Sequence, residues 1–532
     1  MRLKQKIVIA VTLLVVLLSF NMCKPEQKEQ TKIRGFMIDA PRGIETLSYY
    51  YRVIDFCQNE GLNVILFRLT DDQGSAYKFT SHPEINMCDG VFNAKELKSI
   101  IKYAKERDIE IIPEIESFGH SKYITESEKY SYLNDTPDGA DFNALCPVND
   151  STLFLLKDLY TEASSIFQSK YFHIGCDEVN WGASKKSKNA LKSKSKTQIW
   201  AEYVNRLNEY VKELGKETMI WGDVPIYHEK EVLDLLSKDI IIIDWNYWET
   251  NTDTIAKVAN RVLSKGFKLI SCPAVSWCRW GPRVGALQFE NISAYAKVYN
   301  QLNNYNNLGI ILSNWVPTRY LQNSQWDTYT IAVNIINDKV DNYMDVIPSF
   351  VKKHFGVEYN TNWEKIYKTI YEDIPQWTCA QHDSLKFIPW NSEEQIKNII
   401  SKNRFVKNNF AEIVNLLSNN RDNVKVNKGD FDALLLTTEF ISYNFNRQND
   451  LLSFVQSRGF SLSAVENYFK KVALEDQALL ARMDSAWVIG RYSRNPQGIN
   501  NKYLWAFSKA ADYSKYLSEN PNDFIEIVSN MK

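Results

Sequence analysis

The sequence predicts an α/β protein: a (β/α)8 TIM barrel over residues 33–344, followed by an all-helical C-terminal domain over 345–532. Three observations carry this. Eight short apolar runs recur between residues 33 and 315, each ending in polar residues. A longer helical stretch follows each run. Beyond residue 345 only helical periodicity remains. Runs so short and apolar suit strands covered on both faces, as in a parallel sheet, and eight β/α alternations are what a barrel needs.

The chain opens on "MRLKQK", a basic stretch, and continues with the apolar run "IVIAVTLLVVLLSF" over 7–20. That run is short of the roughly 20 residues a membrane-spanning helix needs. Cys23 follows, then the polar stretch "KPEQKEQTK". Residues 1–32 therefore read as an export leader and short linker, with acyl chains on Cys23. Phe20, Asn21 and Met22 stand where small residues are usual before such a cysteine. The alternative is an uncleaved membrane anchor. The expected location is the periplasm or the cell surface, with contact to a membrane only through that N-terminal lipid.

The eight strand runs are "IRGFMIDA" (33–40), "NVILFRL" (63–69), "EIIPEIES" (110–117), "YFHIGCDE" (171–178), "TMIWGDV" (218–224), "IIIIDWNY" (240–247), "FKLISCPA" (267–274) and "GIILSNW" (309–315). Between them lie amphipathic helices such as "NAKELKSIIKYAKERD" and "TQIWAEYVNRLNEYVKELG", the latter closed by Gly215. The longest insertion, 118–165, separates the third and fourth strands. From "WEKIYKTIYEDI" onward helical patterns are broken only by polar stretches such as "NSEEQ", "NNRDNVKVNKGD" and "SRNPQGINN".

Composition narrows the function. Hydrophobic residues at 44% and charged residues at 24% exclude a wholly disordered chain and a polytopic membrane protein. Lys plus Arg (63) balances Asp plus Glu (64), so no overall field favours nucleic acid as a partner. Beyond Cys23 the cysteines are Cys57, Cys88, Cys146, Cys176, Cys272, Cys278 and Cys379, scattered and without a CxxC pair. They read as buried small hydrophobes. There is no HExxH, no zinc spacing and no histidine cluster, so neither metal nor cofactor is expected.

In such a barrel, reactive groups stand at the C-terminal ends of the strands. Those ends carry Asp39 and Arg42; Asp71 and Asp72; Glu114, Glu116 and His120; Asp177 and Glu178; Trp221 and Asp223; Asp244, Trp245 and Tyr247; Trp277; and Trp315. Carboxylates with one arginine, one histidine and large aromatics make a carbohydrate-cleaving set: aromatics stack on sugar C–H faces and charged groups fork onto hydroxyls. Asp177 and Glu178 are adjacent, and strand alternation predicts that they diverge. Sequence neighbours cannot flank a glycosidic bond from opposite sides, as a paired-carboxylate glycosidase requires. They can serve a substrate that brings its own nucleophile, a 2-acetamido oxygen. Glu178 would then protonate the leaving oxygen while Asp177 holds the acetamide N–H. Coupling between the two carboxyls raises one pKa, which helps keep an acid protonated near neutrality.

"FHIGCDEVNW" resembles the H-x-G-[GC]-D-E signature of glycoside hydrolase family 20, the β-N-acetylhexosaminidases, and its "GCDEV" form is most similar to the hexosaminidase D branch. "RGFMIDAPRG", "LTDDQGSAY", "IIPEIESFGH", "LCPVND", "MIWGDV", "DWNYW" and "GIILSNW" resemble the family's other strand-end motifs, in order, over 34–330. The resemblance implies an exo-acting retaining enzyme that removes terminal β-linked GlcNAc or GalNAc from a glycan through substrate-assisted catalysis. It implies Glu178 as general acid/base, Asp177 as the acetamide-orienting carboxylate, and His120 with Asp71 as a relay that tunes Glu178. It implies Arg42 on ring hydroxyls, with Trp221, Trp245 and Trp315 as pocket aromatics. Tyr247 is the candidate donor to the acetamide oxygen, and His173 is read as a buried orienting residue. Pro317 stands where many members carry a glutamate after the eighth strand, and the seventh-strand tyrosine-x-aspartate is absent. These departures leave the GlcNAc/GalNAc choice open and motivate the alternative of a non-catalytic glycan-binding surface protein. A third reading is a hydrolase of non-acetylated sugars with its own carboxylate nucleophile.

Overall fold

The computed structural model describes residues 32–276, 283–373, 393–457, 459–491 and 502–530. The leader with Cys23 lies outside the described residues, as do Trp277, Cys278 and Cys379. All eight apolar runs form strands: Ile33–Asp39, Val64–Arg68, Glu110–Glu114, Tyr171–His173, Glu217–Trp221, Ile241–Asp244, Lys268–Ser271 and Asn307–Asn314. Each pairs in parallel with the next. The eighth returns to the first, with Ile33 opposite Gly309, and closes the barrel.

Met37, Leu66, Ile112, Met219, Ile243, Ile270 and Ile311 fill the barrel interior. Trp221, Tyr247 and Trp315 join the same cluster, and all three stand at or beyond strand C-termini. The outward side chains of the strands pack against the surrounding helices. One of these, Ala94–Lys105, starts at a capping box in which Asn93 and Glu96 satisfy each other's backbone N–H groups. A small sheet of Thr70–Asp71, Gly74–Tyr77 and Met87–Phe92 covers the loop after the second strand.

The insertion after the third strand is shorter than the expected 118–165. Residues Asp150–Ile166 are a regular crossover helix, capped by Asn149 and buried through Leu153, Leu156, Leu159 and Ala163. The inserted part ends where that cap begins.

The C-terminal helices include Thr361–Glu372, Glu393–Asn420, Lys428–Gln456, Leu462–Trp487, Lys502–Glu519 and Pro521–Ser529. They fall with the barrel in one compact unit, Ile33–Lys532. Charged links tie the two. Arg52 donates to Asp430 at 2.8 Å, and His354 Nε2 lies 2.8 Å from the same carboxylate. Arg491 pairs with Glu45 at 2.9 Å. Among the described residues no helix is long and apolar enough to cross a membrane. Cys57, Cys88, Cys146, Cys176 and Cys272 are buried thiols outside any disulfide, as expected.

Candidate active site

The site is built around a residue the sequence reading passed over. Arg68 ends the second strand, has no exposed surface, and holds four carboxylates. It reaches Asp39 at 2.7 Å, Asp71 at 2.9 Å, Glu114 at 3.0 Å and Glu116 at 2.6 Å. An arginine offers five donors in a rigid plane, which is what four converging acids require. The signal was present in "NVILFRL", where a lone charge interrupts an apolar strand; a fully buried charge implies partners. Arg42 adds a second cation, 2.8 Å from Asp71 and 3.4 Å from Asp39. Both guanidinium carbons lie over the Trp315 ring, at 4.7 Å for Arg68 and 5.3 Å for Arg42.

Asp177 and Glu178 are not on a strand. The fourth strand stops at His173, and Gly175, Cys176 and Glu178 all take left-handed backbone angles, with φ of 68°, 77° and 46°. Strand alternation therefore does not apply, and the two carboxylates converge rather than diverge. Glu178 Oε2 lies 3.2 Å from His120 Nε2, and Asp177 Oδ2 lies 3.7 Å from the same nitrogen. His120 is itself left-handed, at φ 46°. Strained non-glycine residues clustered at one spot mark a site the surrounding fold holds in place. Two glycines permit the close approach. A Cβ on Gly119 would collide with the Asp177 carbonyl oxygen, and one on Gly175 with the Glu116 carboxylate. The Glu178 backbone N–H is fixed by Asp223, whose Oδ2 accepts it at 2.9 Å.

The expected relay from Asp71 to His120 is not a closed hydrogen bond. His120 Nδ1 stands 3.9 Å from both Asp71 and Asp72, because Arg42 and Arg68 hold Asp71 on their side. Phe142, from the insertion, packs on the His120 ring with centroids 4.1 Å apart. His173 is buried as expected, and its Nδ1 accepts the Gly175 N–H at 3.0 Å. Burial lowers its pKa to about 4, so the ring is neutral.

Charge coupling separates the adjacent acids in the direction opposite to a resting protonated Glu178. Burial raises Asp177 to about 6, with Glu178 adding to the rise and His120 opposing it. Burial also works upward on Glu178, but the hydrogen bond and charge of His120 outweigh it, and its pKa falls below the usual value. His120 is raised to about 9: burial acts downward, and the charges of Asp177 and Asp71 overcome it. Burial and then Asp177 lift Asp223 to about 8. The resting site thus holds an imidazolium against an ionised Glu178, with the proton one hydrogen bond away. Asp177 is 5% exposed, and its Oδ1 is buried without a hydrogen-bond partner.

The aromatics divide. Trp315 Nε1 donates to the Tyr247 hydroxyl at 2.7 Å and fixes its position. Trp245 is half-buried against Tyr247, with centroids 5.2 Å apart and Nε1 unpartnered. Trp221 has no exposed surface; it donates to Glu114 at 3.0 Å and packs on His173 and Trp315. It supports the floor and presents no face to a sugar. His120, Asp177 and Glu178 also bring one donor atom each within 4.8 Å of one another, the one such trio among the described residues that could hold a metal ion. The 3.2 Å histidine–glutamate contact already engages two of these atoms in a hydrogen bond.

The model of the glycosyl hydrolase family 20 catalytic domain matches residues 32–310. The β subunit of β-hexosaminidase from Felis catus is 24% identical over 265 residues, covering 47% of this chain and 48% of that protein. A β-hexosaminidase from Vibrio furnissii is 26% identical over 249 residues, 40% of each chain. The chain thus spans less than half the length of these curated relatives. The crystal structure of β-N-acetylhexosaminidase from Bacteroides fragilis NCTC 9343 superposes with a TM-score of 0.50 at 21% identity, over 60% of this chain and 69% of that one; this is a likeness of fold. The family match ends before Trp315, so the eighth-strand loop and the C-terminal helices lie beyond it.

Proposed function

The chain belongs to glycosyl hydrolase family 20, and from that premise we propose that it is an exo-acting, retaining glycosidase that removes terminal β-linked N-acetylhexosamine from a glycan by substrate-assisted catalysis. One observation carries the reading: Asp177, Glu178 and His120 meet at the C-terminal mouth of the barrel, with one buried Asp177 oxygen still lacking a donor. An acetamido N–H supplies that donor. Held there, the acetamido oxygen attacks the anomeric carbon as the glycosidic C–O bond breaks, forming an oxazolinium ring. Glu178 gives its proton to the leaving oxygen. It then takes a proton from water, which attacks the same carbon, reopens the ring and restores the original anomeric configuration.

The electrostatics fit these roles. The Glu178 side chain is 42% exposed, so a bound sugar covers it and removes water. Drying a carboxylate raises its pKa, which draws the proton from His120 onto Glu178. Asp177, ionised above its pKa of about 6, accepts the N–H and then faces the positive charge of the oxazolinium. Arg42 and the Trp245–Tyr247 edge grip the ring, and the Tyr247 hydroxyl is aligned by Trp315.

The test is a pair of inhibitors. A ring-fused thiazoline, which mimics the oxazolinium, should inhibit competitively and tightly. A 2-deoxy-2-fluoro glycosyl fluoride should leave no covalent adduct on the intact protein by mass spectrometry. An adduct on an Asp or Glu would replace this reading with a carboxylate-nucleophile mechanism. The leader further supports export with Cys23 acylated; mass spectrometry of the mature N-terminal peptide checks it, and an unmodified or retained leader would remove that part. Within the family, Cys176 in the acid motif favours the hexosaminidase D branch.

A further inference from the structure

We propose that Arg491, just past the helix Leu462–Trp487, is a positioning residue for the sugar-gripping edge of the site. It locks the loops after the first and eighth strands to each other, and so fixes where Arg42 and Trp315 stand. The C-terminal helices thereby become part of the substrate-binding apparatus.

Arg491 is 6% exposed and engages two of its guanidinium nitrogens and one face of the plane. Nε donates to Glu45 Oε1 at 2.9 Å. Nη2 donates to the carbonyl oxygens of Pro317 and, at 3.1 Å, Tyr320. The face of the plane lies 3.7 Å from the Trp487 ring centroid. The backbone repeats the link: Glu45 and Arg491 form an antiparallel bridge, and the Thr46 N–H donates to the Gly490 carbonyl at 2.8 Å. Glu45 is three residues after Arg42, and Pro317 is two after Trp315.

The two loops need such a brace. Val316, between Trp315 and Pro317, is β-branched yet left-handed at φ 52°. That conformation is strained for a β-branched residue and persists only where neighbours impose it. Its N–H is held by Asp39 Oδ2 at 2.9 Å on one side, and Arg491 holds the Pro317 carbonyl on the other. The loops also touch directly: a Cβ on Gly43 would meet Pro317 and Thr318 at 3.0 Å. Gln322 bridges them, donating to Glu45 at 2.9 Å and accepting from Tyr49 and Tyr329. Removing Arg491 leaves Glu45 buried without its cation and frees the Pro317 turn. Asp177, Glu178 and His120 sit on the loops after the third and fourth strands, and no contact joins them to Arg491 among the described residues. Loss of the brace should therefore weaken the grip on sugar and leave the Glu178–His120 hydrogen bond in place.

The kinetic arm rests on the proposed function. Wild type, Arg491→Ala and Arg491→Lys are compared on 4-nitrophenyl N-acetyl-β-glucosaminide and galactosaminide. Loss of binding shared by substrate and transition state raises KM and leaves kcat, so the expectation for Arg491→Ala is a KM raised about tenfold or more with kcat within about threefold. Lysine, lacking the planar fork, should recover little. Ethylguanidinium in solution should lower the KM of the alanine variant. The second arm does not depend on activity: amide hydrogen exchange should quicken in 42–46 and 315–321 and stay unchanged in 171–178. An unchanged KM, full recovery by lysine, or unaltered exchange in both loops would overturn the proposal. Should wild type cleave neither glycoside, the functional reading fails while the exchange arm still decides the brace. If Arg491→Ala does not fold, Glu45→Gln weakens the same link and carries the same expectations.

Discussion

Replacing Asp177 with asparagine keeps shape and removes charge, and its consequence can be worked from the site. Asp177 Oδ1 is buried and has no hydrogen-bond partner, so an acetamido N–H docking there makes a charge-assisted bond away from water. Hydrogen bonds to charged groups are worth about 1.5–3 kcal/mol. Here the bond strengthens as positive charge grows on the oxazolinium, and removing a single preorganised group of this kind costs about 10²–10³ in kcat. Asp177→Asn should therefore lower kcat on an aryl N-acetyl-β-glucosaminide by about 10²–10³-fold, with KM changed little. The pH profile gives a second reading. Asp177 acts when ionised and its pKa is about 6, so wild-type kcat/KM should fall as pH drops through that value. Asparagine does not titrate, and the acid limb near 6 should vanish. A variant that keeps wild-type kcat and an acid limb at about 6 would refute the assignment.

Glu178→Gln removes the proton donor and should cost about 10²–10⁴-fold in kcat. The loss should shrink for a dinitrophenyl leaving group, which needs little protonation; equal losses on both substrates would count against the acid role. The alkaline limb of kcat/KM belongs to the proton shared by His120 and Glu178, and activity should decline as pH rises through about 9; in His120→Asn that limb should move to lower pH, and an unmoved limb would detach His120 from the relay. Arg68→Met leaves four buried carboxylates without their common cation, and breaking buried pairs from one side costs about 3–5 kcal/mol. Thermal unfolding should show a large fall in midpoint or failure to fold, and a wild-type midpoint would mean that Arg68 is not the organising charge.

The barrel was legible because parallel strands are buried on both faces: "VILF" and "III" have to be apolar up to the charged residue that ends each strand, and that pattern survives in the sequence as plain runs. The acid pair was legible as chemistry but not as geometry. Period-two reasoning assumes a strand, and Gly175, Cys176 and Glu178 leave strand geometry through left-handed angles that composition does not announce at a cysteine or a glutamate. The direction of proton sharing was hidden for a related reason. It depends on His120 standing 3.2 Å from Glu178 rather than midway between the two acids, a matter of fractions of an ångström. Arg68 was readable in principle as the single charge in an apolar strand, whereas Phe142 and Arg491 were not. They reach the site and its loops from an insertion and from the stretch just past a distant helix, and only tertiary packing brings them there. Trp221 shows the converse case: a strand-end tryptophan that belongs to the barrel floor, its indole N–H committed to Glu114.

The most direct measurement is the ratio of kcat/KM for an aryl N-acetyl-β-glucosaminide to that for the matching aryl β-glucoside, taken under one set of conditions. With the nucleophile carried by the substrate, the glucoside has nothing to attack its own anomeric carbon, and losing an aligned intramolecular nucleophile removes an effective concentration of about 10⁵ M or more. The account predicts a preference for the acetamido sugar of at least about 10³-fold, with the galactosaminide cleaved by the same route. Comparable rates on the two sugars would contradict it.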